Sequence, residues 1–136
     1  MTTFLFHAHS GWRYVVIVVA IAVIAKFLFG LLGNSKWGQW DQRLGAALPI
    51  TLDIQLLLGL VLWIARQQWL IQAPARTWEH PVMMILAVAV AHVTWIRVKK
   101  TTESSARFRT GLIGYVGAGL LLTVGIMRIT GMMGPV

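Results

Sequence analysis

The chain has 136 residues, of which 57% are hydrophobic and 12% are charged, and its mean hydropathy is +0.72. This composition excludes an ordinary soluble domain and predicts one integral membrane domain. Cysteine is absent, which excludes disulfides, thiolate-held metal clusters and covalently attached haem. A net charge of +8 would suggest nucleic-acid binding in a soluble protein. Here most cations flank apolar segments, so we expect them to set topology and contact anionic lipids, and we expect no nucleic-acid partner.

Taken in order, residues 1–11 lack the basic region and cleavage site of a signal peptide, so we expect them to be retained. Ser10 is a suitable cap for a first helix. The apolar pattern predicts spans at about residues 12–32, 44–65, 81–96 and 111–129. Gly111, Gly114 and Gly125 in the fourth span would let a neighbouring helix approach closely. The predicted fold is therefore an all-α, four-helix transmembrane bundle.

The distribution of cations predicts the orientation of this bundle. The two connections that follow the first and third spans, with their flanks, carry eight Lys and Arg residues, namely Lys26, Lys36, Arg43, Arg97, Lys99, Lys100, Arg107 and Arg109. The opposite side carries four, namely Arg13, Arg66, Arg76 and Arg128. Because cytoplasmic loops are enriched in positive charge, we predict a multi-pass protein of the bacterial inner membrane with both termini outside.

The four outer cations are all arginines, and they share their end of the bundle with histidines and Glu79. Arginine pairs with carboxylates and other anions through a two-pronged guanidinium, so this group would suit a cofactor or substrate with anionic arms. A second interpretation is that these arginines contact lipid phosphates or extend to the membrane surface.

Two histidines are candidate haem ligands. A six-coordinate haem b needs two axial imidazoles from different helices, and His9 and His80 lie at the entrances of the first and third spans, at the same predicted depth. This arrangement permits one haem between the two helices, with its propionates directed to the four outer arginines. Glu79 would then orient His80 or Arg76.

His92 belongs to a different site, because it follows His80 by twelve residues, or about 18 Å along a helix. We predict that it is a hydrogen-bonded packing residue whose partner is Asp53, in the middle of the second span. The two would either satisfy each other or exchange a proton. For Gln55, we favour an interhelical hydrogen bond over contact with a quinone carbonyl.

Copper is an alternative metal at the same end of the bundle. Imidazole and thioether ligands suit Cu(I). The residues that would provide them are His7, His9, His80, Met83 or Met84, and Met132 with Met133.

Three short motifs carry a resemblance to a known family. These are HSGWRY at residues 9–14, DIQLLLGL at 53–60, and ARTWEHPVMMILAVAVAHV at 75–93 followed by a Lys–Lys pair. Together they resemble a family of small four-helix bacterial membrane proteins labelled cytochrome b. The resemblance implies a non-covalent b-type haem and electron transfer at the membrane. The positions that match are His9, Arg13, Gln55, Gly59, Arg76, Glu79 and His80. Asp53 stands where we expect a histidine in some relatives.

From these features we predict an electron-transfer protein, or the haem- or quinone-binding membrane subunit of a redox assembly, rather than a stand-alone enzyme. No nucleophile–base set or phosphate-binding loop is evident in the sequence. A homodimer or a larger complex is compatible with so small a bundle. The alternatives are a cofactor-free assembly or structural subunit, a copper-binding protein, and a proton-handling protein that depends on Asp53 and His92.

Overall fold

A computed structural model of the chain describes residues 1–130, except that it describes only the backbone of Ala75 and Arg76. The chain is an all-α bundle, as predicted. The four long helices in this part of the chain are α1 (Thr2–Leu32), α2 (Gln39–Ala65), α3 (His80–Lys100) and α4 (Ser104–Ile129). Each is long and apolar enough to cross a membrane, which indicates a multi-pass membrane protein.

Each helix packs against two neighbours, in the order α1, α2, α3, α4 and back to α1. Short connections make successive helices antiparallel, so α1 and α3 lie diagonally across the bundle. The start of α1, the end of α2, the start of α3 and the end of α4 therefore meet at one end, which we call the upper end. The lower end holds the connections 33–38 and 101–103.

The helices begin earlier than the predicted spans. Ser10 does not cap α1: the helix starts at Thr2, with Met1 as its N-cap. Phe4, Leu5 and Phe6 extend the apolar sequence toward the N-terminus, and Gly11 is tolerated within the helix. Similarly, α2 starts at Gln39, five residues before the predicted span.

A buried carboxylate explains the early start of α2. Asp41 is only 2% exposed, and its Oδ2 accepts a hydrogen bond of 2.9 Å from the backbone N–H of Gly38, the N-cap residue. Its Oδ1 accepts a bond of 2.6 Å from the ammonium of Lys26. Lys26 thus extends toward the lower end of the bundle and pairs there with Asp41, joining α1 to α2.

We predict that Asp41→Ala destabilises the protein by about 1–3 kcal/mol, since it removes a helix cap and one partner of an ion pair whose other partner, Lys26, is 43% exposed. The measurement is unfolding in mixed detergent micelles. Glu103→Ala, which removes an exposed carboxylate bonded to Ser105, is the control and should change stability by less than about 0.5 kcal/mol. Equal effects of the two variants would contradict this role for Asp41.

The lower half of the bundle is closely packed. Phe27, Phe108 and Tyr115 are fully buried against one another, and the Tyr115 hydroxyl donates a bond of 2.6 Å to the carbonyl of Gly45. A Cβ on Gly111 would overlap the ring of Phe27, which confirms the predicted close approach at this glycine. A cavity lies in the upper half instead.

Candidate functional site

The upper half of the bundle contains a cavity of about 1060 Å³, which is bounded by all four helices and partly open at the surface. This volume is at the upper end of the range of roughly 300–1,000 Å³ that is typical of small-molecule and cofactor sites. Most of the wall is aliphatic. The polar side chains in it include His9, Arg13, Gln55, Arg66, Gln68 and His80.

His9 and His80 face each other across the bundle, His9 from α1 and His80 from the first turn of α3. Their ring centroids are 6.2 Å apart, and the ring planes are nearly perpendicular, at 86°. Both side chains line the cavity. The prediction that these two histidines lie at the same depth is confirmed.

The backbone of α4 orients His80. The ring Nδ1 lies 3.4 Å from the carbonyl oxygen of Gly125, to which it donates in the Nδ1-protonated tautomer. Nε2 then keeps its lone pair, which is the form of imidazole that binds a metal. A Cβ on Gly125 would overlap Met84, so glycine at this position lets α3 and α4 approach each other.

The surroundings of His9 depend on α2. A Cβ placed on Gly59 would lie 2.8 Å from Cε1 of His9 and 3.2 Å from its Nδ1, so only glycine leaves room for the ring. The backbone carbonyl of His9 accepts a bond of 3.0 Å from Nε2 of Gln55. The ring Nδ1 of His9 is buried and has no hydrogen-bond partner among the described residues. A buried polar atom of this kind usually marks a ligand or a functional role.

Two glutamine oxygens in the cavity wall are also buried without a partner in the described part of the chain, Oε1 of Gln55 and Oε1 of Gln68. The interhelical bond predicted for Gln55 is confirmed by its contact with His9. Gln68 was not predicted, because it lies in a connection rather than in a span. Its side chain is nevertheless 93% buried, with 7% of its surface exposed.

The connection between α2 and α3 folds over the upper end of the cavity. Gln67 has a left-handed backbone conformation, with φ of 49°, and a 3₁₀ turn follows at Gln68–Leu70. Thr77 holds this turn in place, because its hydroxyl donates to the carbonyl of Gln68 at 3.0 Å. The indole of Trp63 in turn donates to the carbonyl of Thr77 at 2.9 Å.

The arginines at the upper end of the bundle divide into two groups. Arg13 and Arg66 line the cavity, and the guanidinium of Arg66 lies 4.9 Å from the ring centroid of Phe6. Arg128 instead pairs with Glu79, with both its Nε and its Nη2 at 2.9 Å from Oε2. The side chain of Arg76 lies outside the described part of the structure.

The pairing of Arg128 with Glu79 corrects two predictions. Arg128 belongs to an ion pair and does not line the cavity, so it is not a free cation for an anionic arm. Glu79 does not orient His80, since the carbonyl of Gly125 contacts that ring. The arrangement follows from helix rotation, which places the last turn of α4 beside the start of α3.

The predicted partnership of His92 and Asp53 is confirmed. Nε2 of His92 lies 2.7 Å from Oδ1 of Asp53. The two side chains are 44% and 50% exposed, and neither lines the cavity. The pair therefore lies on the outer surface of α2 and α3 and not in the bundle core, so the prediction that His92 is a packing residue is wrong.

The structure separates one of the candidate copper ligands, His7, from His9. Within residues 1–130, no group of three or more His, Cys, Asp and Glu side chains could hold a metal ion. His7 is exposed and contacts Phe6, and because it is two residues from His9 in a helix, the two rings point to different sides. Met132 and Met133 lie outside the described residues.

No protein-family model, curated protein or solved structure matches the chain.

Proposed function

We propose that this protein binds one b-type haem through His9 and His80 and transfers electrons at the membrane, alone or as the haem-binding subunit of a redox complex. The placement of two imidazoles from diagonally opposite helices in one cavity carries the proposal. Their ring centroids are 6.2 Å apart, close enough for both residues to hold the same group.

The composition of the site favours a haem over a bare metal ion. A zinc or copper ion bound by protein alone needs about three or four side-chain ligands. Here two imidazoles face each other in a large, mostly apolar cavity. A haem provides four equatorial nitrogens itself and needs only axial ligands, and its ring would use the apolar volume.

The chain's own residues provide the remaining functions. Gly125 orients His80 through its carbonyl, and Gly59 leaves room for the ring of His9. The aliphatic walls would surround the ring of a bound haem. Arg13 and Arg66 are the cavity-lining cations suited to pair with propionates. When bound, the haem supplies one-electron chemistry between Fe(II) and Fe(III).

A quinol is the second candidate ligand. The unpartnered oxygens of Gln55 and Gln68 are hydrogen-bond acceptors in the cavity wall, and the hydroxyl groups of a quinol are donors. This interpretation predicts a colourless purified protein that binds a quinol.

The test is a reduced-minus-oxidised absorption spectrum of the purified protein, followed by haem extraction with pyridine. We expect a b-type α-band and one haem per chain. A colourless sample from cells with ample haem would overturn the proposal. Titration of that sample with a short-chain quinol would then distinguish a quinol-binding protein from a cofactor-free assembly or structural subunit.

Arg66→Gln should lower the midpoint potential of the haem. Removing a nearby cation makes reduction less favourable by about 1 kcal/mol, which corresponds to on the order of 40 mV for one electron. A spectroelectrochemical titration measures the shift. Lys36→Gln is the matched control: this cation lies in the connection 33–38 at the lower end of the bundle, away from the cavity, so the potential should change by much less. A larger shift for Lys36→Gln would contradict the placement of the propionates near Arg66.

A further inference from the structure

The Asp53–His92 pair has no role in the proposed haem site. Asp53 lies close to the middle of α2 (Gln39–Ala65), and His92 lies close to the middle of α3 (His80–Lys100). Their mutual contact at 2.7 Å is the only side-chain hydrogen bond that either makes within residues 1–130. One carboxylate oxygen and one ring nitrogen thus keep unused hydrogen-bonding capacity.

The surface around this pair is otherwise apolar. Leu57, one turn from Asp53, is 62% exposed, and Val93, next to His92, is 53% exposed. At this depth in a membrane the surroundings are hydrocarbon. Ionisable side chains at the centre of a membrane helix are costly to insert, and they nearly always face protein or water instead of lipid.

We infer that the α2–α3 face around Asp53 and His92 is the interface of a homodimer, and that its occupant is a second copy of this chain. The reason is charge complementarity. A patch that contains one acid and one base is complementary to itself under a two-fold axis, because Asp53 of each copy then faces His92 of the other. With each pair as an imidazolium and a carboxylate, the remaining ring N–H of His92 donates to the free carboxylate oxygen of Asp53 in the other copy, and the two pairs close one four-residue network. Lipid tails offer no such partner.

Cross-linking in native membranes tests this inference directly, since the wild-type chain has no cysteine. Single variants Leu57→Cys and Val93→Cys would be treated with a flexible bismaleimide. The matched control is Val18→Cys, because Val18 is 65% exposed near the middle of α1, on a different side of the bundle. We expect covalent dimers at Leu57→Cys and Val93→Cys, and yields lower by about tenfold or more at Val18→Cys.

Three results would overturn the inference. They are the absence of covalent dimer at both test positions, equal yields at Val18→Cys, and an adduct with a different protein in place of the dimer.

The double variant Asp53→Leu with His92→Leu, made in the Leu57→Cys background, tests the pair itself. Dimer yield should fall about tenfold, and an unchanged yield would overturn the role of the pair. The cysteine variants leave the pair intact, so they test the dimer even if the double variant fails to fold.

Discussion

Replacing either His9 or His80 with alanine is expected to abolish the b-type α-band and to reduce haem affinity by at least about 100-fold. The loss of a supporting contact to a metal ligand already costs about 10- to 100-fold, and here an axial ligand itself is removed. The measurement is the haem content of each purified variant, determined by pyridine extraction and normalised to protein.

The chain offers a matched control for each ligand. His7 is on the same helix as His9, two residues earlier, but is exposed and does not line the cavity. His92 is on the same helix as His80 and pairs with Asp53 on the outer surface. His7→Ala and His92→Ala should therefore retain the α-band. Loss of haem in a control, or its retention in His9→Ala or His80→Ala, would contradict the ligand assignment.

A rescue experiment separates ligation from structural support. His9→Gly leaves a space where the imidazole ring was, so free imidazole added to this variant should restore the α-band. A merely structural role for His9 does not predict this recovery. Restoration of helical content without the α-band would show that His9 supports the fold and does not bind iron.

The sequence predicted which residues share an end of the bundle, but not how each helix is rotated about its axis. His9 and His80 come together because antiparallel spans fix their depth, and depth can be counted from helix length. Arg128 and Glu79 show the limit of that reasoning. Both were placed at the correct end, but rotation decides which side chains meet, and it brings these two together.

Polar residues within apolar spans were the most informative in the sequence. Such a group needs a partner, and few others exist, so Asp53 could be assigned to His92 before the contact was known. The pair of Lys26 and Asp41 shows the converse. Asp41 lies in a polar region beside other charged residues, so the sequence does not indicate that it pairs with Lys26.

Gln68 could not have been predicted as a cavity residue. Its position depends on the left-handed backbone at Gln67, a conformation that glutamine adopts only when the surrounding structure imposes it. Thr77 provides that constraint from nine residues further along the chain. Local sequence patterns carry no signal for a turn that is held by such a contact.

Gly59→Ala is expected to reduce haem affinity by about tenfold or more, although alanine ordinarily favours a helix. The added Cβ would lie 2.8 Å from Cε1 of His9, a separation at which the ring must move. Overpacking of this kind costs roughly 1–3 kcal/mol. Because the displaced atoms belong to a proposed axial ligand, most of this cost should affect haem binding. The measurement is haem retention during dilution, followed at the α-band.

Gly117→Ala is the matched control for this substitution. Gly117 also lies within a membrane-spanning helix, but a Cβ there has nothing within 4 Å, so haem retention should be unchanged and the helix slightly more stable. If Gly59→Ala unfolds the protein, helical content measured by circular dichroism will fall together with the α-band. If it keeps full helical content and loses haem, Gly59 acts by positioning His9. Wild-type haem retention in Gly59→Ala would contradict the placement of His9 as a ligand beside α2.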